Sequence, residues 1–98
     1  MSVNYKRYRN GEAKRRLERK GFVNTHTKGK FFMAFYNDGR KTRAHTILNL
    51  RSNKVIGKGL FSKISSDLFL TNKELINLLD CPMEINDYID ILNQRGAI

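Results

Sequence analysis

The sequence predicts an α+β domain in which one helix leads into a three-stranded antiparallel meander and further helices pack on one face of that sheet. Three observations predict it. Apolar residues recur at helical spacing near both ends of the chain. Between residues 22 and 50 they sit in short runs separated by glycine-containing turns. With 98 residues there is room for a single core. One domain is therefore expected over 1–98, with an αβββα core at 10–68 and a helical extension at 69–98.

The first helix is expected from residue 10 to about 20. Asn10 is its expected N-cap and Glu12 stands in its first turn. Ala13 and Leu17 form a narrow apolar i, i+4 stripe, Arg15 and Arg19 form a second pair on another face, and Gly21 ends the helix. Strands are expected at 22–27, 30–36 and 41–50, joined by turns at Lys28-Gly29 and at Asn37-Asp38-Gly39-Arg40. A four-residue loop at 37–40 would pair Tyr36 with Lys41, Ala34 with Arg43 and Phe32 with His45. That register puts Phe31, Met33, Phe35, Ala44, Thr46, Leu48 and Leu50 on a core face. The opposite face then carries Asn24, His26, Lys30, Phe32, Ala34, Tyr36, Lys41, Arg43, His45 and Asn49.

The last third reads as helical. Leu60, Phe61, Ile64 and Leu68 mark a helix at about 59–68. Thr71 and Glu74 form a capping box that opens a helix reaching about residue 79. Cys81-Pro82 breaks the chain. Ile85, Tyr88, Ile89 and Leu92 mark a final helix at about 85–94, stopped by Gly96.

Charge is distributed unevenly along the chain. Residues 1–63 hold 17 Lys and Arg against Glu12, Glu18 and Asp38, whereas residues 64–98 hold two against six carboxylates. A net charge of +10 so concentrated predicts a positive field on one part of the molecule, suited to a polyanion. The longest apolar run, 31–36, is far too short to span a bilayer. The N-terminal stretch has charge without a following apolar segment, so no secretion signal is expected. Cys81 is the only cysteine, which excludes an internal disulfide and a multi-cysteine zinc site. A reducing, cytoplasmic compartment is the expected location, with no metal and no cofactor. Cys81 itself is expected to be buried packing, and Asp87 and Asp90 to be a solvated face.

Two short stretches carry a family resemblance. Leu17-Glu18-Arg19-Lys20-Gly21-Phe22 matches a helix ending in Leu-x-x-x-Gly-Phe, and Lys54-Val55-Ile56-Gly57-Lys58-Gly59-Leu60-Phe61-Ser62-Lys63-Ile64 matches a loop and closing helix. In these, and in element order, residues 10–70 resemble the HicA toxins, whose fold is that of double-stranded RNA-binding domains. The resemblance implies RNA as the partner, ribonuclease activity on messenger RNA, and neutralisation by an antitoxin protein. HicA toxins carry their catalytic histidine in a Gly-Ser-His sequence on the second strand. Gly29-Lys30-Phe31 stands there in this chain, so no histidine is transferred by that motif.

The candidate RNA contacts follow from charge and position. Lys28 and Lys30 flank the first hairpin turn, and Lys54, Lys58 and Lys63 surround the start of the following helix, where the dipole also favours phosphate. Arg51 could join them. Phe32 and Tyr36, interleaved with Lys30, Lys41 and Arg43, could stack unpaired bases; a dimer partner or a terminal segment covering those rings is the alternative. His45 and His26 are the only imidazoles and the candidate acid–base groups for attack by a ribose 2′-hydroxyl, with Arg43 or Lys30 to stabilise the developing charge. The alternative is that both are ordinary surface or RNA-contacting side chains. DNA is the less expected partner, because the helix over 72–79 carries Glu74 and only Lys73 as a cation. Two functions are thus expected: a toxin-type ribonuclease held by an antitoxin, or a non-catalytic RNA-binding protein of a ribosome or other ribonucleoprotein.

Overall fold

The computed structural model describes residues 5–27, 30–49, 54–80 and 83–98. These form α1 (Asn10–Arg19), β1 (Phe22–Thr27), β2 (Lys30–Asn37), β3 (Arg40–Asn49), α2 (Lys58–Asp67), α3 (Asn72–Asp80) and α4 (Ile85–Gln94). The strands make one antiparallel sheet in the order β1-β2-β3, and the α+β class is as expected. Leu50, Arg51 and Cys81 lie outside the described residues, as do Lys28 and Gly29 of the first hairpin turn.

Helix α1 buries Ala13 and Leu17, the narrow stripe read from the sequence. Its cap differs from expectation. Asn10 is already helical and buried, and Arg9 holds the N-cap position without a side-chain cap. The reason is a pairing across the chain. Arg9 bridges Val55 in antiparallel fashion, the Asn10 amide donates to the Lys54 carbonyl at 3.1 Å, and the Ile56 amide donates to the Tyr8 carbonyl at 2.7 Å. Main chain from 54–56 thus satisfies one of the first-turn amides that have no partner inside the helix. Gly21 turns the chain into β1 with φ +91°, and a Cβ there would stand 3.1 Å from the Phe35 ring. Glycine is needed on both counts.

The β2–β3 turn is tighter than expected. Asn37 pairs with Arg40, so only Asp38 and Gly39 bridge the strands, both at positive φ (52° and 75°) as a type I′ turn requires. Tyr36 pairs with Lys41 as expected, but the register then shifts. Ala34 meets His45 and Phe32 meets Ile47, in place of Arg43 and His45. Residues 42–44 therefore lie against Phe35 alone, in a bulge held by the Thr42 hydroxyl, which donates to the Phe35 carbonyl (2.8 Å) and accepts the Ala44 amide (3.2 Å). The shift is two residues, so the inside–outside alternation survives: Ala44, Thr46 and Leu48 are buried on the same face as Met33 and Phe35.

The β1 register corrects two further assignments. A two-residue turn pairs Thr27 with Lys30, Asn24 with Met33 and His26 with Phe31. Asn24 and His26 therefore occupy positions on the helix-covered face, and the open face of β1 begins with Val23 and Thr25. Ala34 is on the open face yet buried, being a small side chain on the central strand between Val23 and His45.

All four helices contribute to one buried cluster with the inner sheet face. Tyr8 and Phe61 stack at 6.2 Å, and Tyr88 of α4 meets Phe35 edge-on at 4.9 Å while its hydroxyl donates to the Leu68 carbonyl at 2.9 Å. The segment 69–98 is thus part of the same core as 10–68. In α2, Phe61, Ile64 and Leu68 are buried, whereas Leu60 is exposed, one position off the buried stripe. Helix α2 ends with Phe69 in the left-handed region (φ 63°), the Leu70 amide reaching back to Ser65 and the Phe69 amide to Ser66. The Thr71–Glu74 capping box is present in both directions (3.2 and 2.8 Å). A reach of the same kind starts α4, where Asp87 accepts the Glu84 amide at 3.0 Å.

Candidate nucleic-acid interface

The Arg9–Val55 bridge decides how the cations gather. It lays residues 8–10 antiparallel to 54–56, so the exposed Arg9 lies opposite Val55 and the exposed Lys54 lies opposite the first residue of α1, four positions before the exposed Lys58 that starts α2. The first turns of α1 and α2 therefore open near one another. Lys30, also exposed, opens β2 and pairs with Asn49 at the last position of β3. Every carboxylate of the chain is among the described residues, and no salt bridge joins one to Lys30, Lys54, Lys58 or Arg7. Helix α2 has neither a side-chain cap nor an acidic residue in its first turn, so its amides add positive potential there.

Lys63 stands apart from this group electrostatically. It is paired with Asp67 at 3.0 Å, one helical turn on, and the same carboxylate accepts the Thr46 hydroxyl at 3.0 Å. Its charge is already partly answered.

A second basic region lies at the hairpin end of the sheet. Arg40, Lys41, Thr42 and Arg43, with Asn37, Ala97 and Ile98, line a cleft of about 430 Å³. β3 is an edge strand of the sheet, so its main chain and side chains both border this cleft, and the bulge at 42–44 interrupts the ladder there. No salt bridge neutralises Arg40, Lys41 or Arg43 among the described residues. Sequence reading passed over Arg40 as a turn residue; its signal was the unbroken cationic run Arg40-Lys41-Thr42-Arg43 immediately after the turn.

Between the two basic regions runs the open sheet face. Tyr36 is 37% exposed, Val23 48% and Ile47 45%, which is a high exposure for apolar side chains on a sheet. Phe32 is half-buried; its ring stacks on the His45 ring at 5.0 Å, and the Lys41 ammonium lies 4.6 Å from its centroid. His45 Nδ1 lies 3.0 Å from the Arg43 carbonyl. A carbonyl oxygen can only accept, so Nδ1 carries the proton and Nε2 is the acceptor of the neutral ring. His26 and His45 are not brought together. They lie on β1 and β3, separated by β2, at register positions of opposite faces.

No protein-family model, curated protein or solved structure matches the chain. Among the described residues, no group of His, Cys, Asp and Glu is placed to hold a metal ion, and no helix is long and apolar enough to cross a membrane.

Three of the six carboxylates in residues 64–98, Asp67, Glu74 and Asp80, are held in ion pairs within the fold. Asp80, at the end of α3, accepts from Lys6, from the Tyr8 hydroxyl (2.7 Å) and from Arg16 (3.0 Å). Burial works to raise its pKa, but the Lys6 and Tyr8 hydrogen bonds and the nearby Lys6 and Arg16 charges together hold it below the usual value. Burial and the same carboxylate push the Tyr8 hydroxyl well above the ordinary phenol range. Glu74 likewise pairs with Arg95. These pairings tie down acidic groups and keep them from competing for Lys30, Lys54 and Lys58.

Proposed function

We propose that this protein binds RNA, gripping phosphates with Lys54 and Lys58 at the first turns of α1 and α2 and with Lys30 at the start of β2. The observation that carries the reading is the Arg9–Val55 bridge, which joins two basic segments that are far apart in sequence. A helix, the following hairpin turn and the start of a later helix are the parts by which double-stranded RNA-binding domains span minor and major grooves. Here those parts are α1, the β1–β2 turn with Lys30, and the start of α2. The HicA-like features of residues 10–70 point to the same partner, in the cytoplasm. Lys63, with its Asp67 partner, is the weakest member of the set.

The test is binding to duplex RNA, duplex DNA and single-stranded RNA across a salt series. Lys54→Glu combined with Lys58→Glu should weaken RNA binding at least tenfold at low salt and flatten the salt slope by about 0.7–0.9 for each phosphate no longer neutralised. Unchanged affinity in the double variant would refute the grip.

A second reading is favoured by the state of His45. Its ring is oriented by the Arg43 carbonyl and by Phe32, which leaves Nε2 as the acceptor nitrogen on a sheet face that also carries Lys41 and Arg43. In this reading the protein is a toxin-type ribonuclease, His45 removes the 2′-hydroxyl proton, and an antitoxin covers the basic surface. RNA cleavage by the parent that His45→Ala abolishes while binding persists supports it; an intact RNA pool supports the non-catalytic, ribonucleoprotein-associated role.

A further inference from the structure

We infer that the open sheet face is a groove for a single-stranded nucleic-acid segment, with a phosphodiester seated in the Arg40–Arg43 cleft and bases laid on Tyr36 and Phe32. The inference rests on the RNA-binding reading and names a second surface with a different form of ligand.

Three observations converge. The cleft is lined by three cationic residues among four successive positions, beside a bulge whose Thr42 hydroxyl bonds the Phe35 carbonyl and the Ala44 amide. A cleft so lined, with no salt bridge from Arg40, Lys41 or Arg43 to a carboxylate among the described residues, has the chemistry of an anion seat. Next, Lys41 joins the cleft to the sheet face: it lines the cleft, pairs in register with Tyr36, and places its ammonium 4.6 Å from the Phe32 centroid. A phosphate at the cleft would therefore sit within one nucleotide of the exposed rings. Finally, the face itself is apolar and aromatic at its centre (Val23, Phe32, Ile47, Tyr36) and cationic at its rim (Lys30, Lys41, Arg43).

Charge complementarity selects the occupant. Unpaired bases offer π-faces to the rings while their backbone meets the rim, whereas a duplex hides its bases and cannot use Tyr36. A second copy of this chain would set the same cations against each other.

The experiment compares a labelled single-stranded decanucleotide RNA with an RNA duplex of the same length. Proteins are the parent, Arg40→Gln with Arg43→Gln, Tyr36→Ala, and Lys54→Glu with Lys58→Glu, each checked for a parental melting profile. The Arg40/Arg43 variant should lose about tenfold or more in single-strand affinity and about 0.7 in salt slope per phosphate, while keeping duplex affinity. Tyr36→Ala should lose about tenfold for the single strand with its salt slope unchanged. Parental single-strand affinity in the Arg40/Arg43 variant overturns the inference, as does equal loss for duplex and single strand. Displacement of the RNA by low-millimolar inorganic phosphate alone assigns the cleft to free anions and also overturns it. A concentration-dependent dimer that Tyr36→Ala abolishes overturns it in favour of self-association. Failure of the parent to bind either RNA removes the RNA reading itself, a result separate from all of these.

Discussion

Glu74 and Arg95 meet through two hydrogen bonds, Nη1 at 2.7 Å from Oε1 and Nη2 at 2.9 Å from Oε2. The same carboxylate accepts the Thr71 amide at 2.8 Å. One side chain thus caps α3 at its start and holds the end of α4 against it, and Arg95 also reaches the Phe69 carbonyl between α2 and α3.

Glu74→Ala should cost about 1–2 kcal/mol, because it removes a cap and a two-point ion pair together. Urea unfolding measures it. The Arg95 hydrogen bond is the largest influence on Glu74 and holds its pKa below the ordinary value in spite of partial burial. A carboxylate depressed by folding adds stability above its unfolded pKa, near 4.3, and loses it as pH falls through the folded value. The gap between parent and Glu74→Gln should therefore shrink between about pH 6 and pH 3. A gap that stays constant would show that the pair contributes nothing to acid sensitivity.

Asp80→Ala should be more damaging, at about 2–3 kcal/mol, since it strips an acceptor from Lys6, Tyr8 and Arg16 at once. The N-terminal segment hangs on that carboxylate, so trypsin should cut after Lys6, Arg7 or Arg9 faster in the variant. Asp80→Asn, which keeps one acceptor, should fall between. Cleavage at parental rate in Asp80→Ala would contradict the clamp.

Two glycines make a paired test. Gly21→Ala forces a Cβ to 3.1 Å from Phe35 at φ +91° and should destabilise by about 1–2 kcal/mol. Gly59→Ala, in a helical position with nothing within 4 Å, should stabilise by about 0.5 kcal/mol. Thermal melts of both variants decide it.

Thr42→Val keeps the shape of the side chain and removes both hydrogen bonds that hold the bulge. It should cost about 1–2 kcal/mol and speed hydrogen exchange at the Ala44 amide. Unaltered exchange would mean the bulge is held by packing alone.

What the sequence reveals is what neighbouring residues decide. The Thr71–Glu74 box, the Ala13–Leu17 stripe and the bounds of α4 all rest on residues a few positions apart, and each is visible in the residue pattern. Tyr8 was not legible as core, because its partners Asp80 and Phe61 lie more than fifty positions away and its own surroundings are charged. The bulge was hidden for a related reason: a threonine in a strand gives no sign that its hydroxyl will take a carbonyl on the next strand. The pairing of Thr27 with Lys30 follows from the expected strand bounds, and it was the assignment of faces along β1 that put Asn24 and His26 on the wrong side. For the candidate interface, the surplus of cations was visible at once. Their meeting was not, since it depends on the Arg9–Val55 bridge and on the kink in β3.

The kink in β3 adds an even number of residues opposite Phe35, and parity governs what changes of length the hairpin can absorb. Removing two residues there would straighten the strand, erase the cleft, and still send Thr46 and Leu48 inward. Removing or adding one would drive His45 and Ile47 into the helices and expose the threonine and leucine, an exchange the molecule could not survive. Length variation in this hairpin should therefore come in steps of two, reshaping the edge of β3 without disturbing how the chain folds.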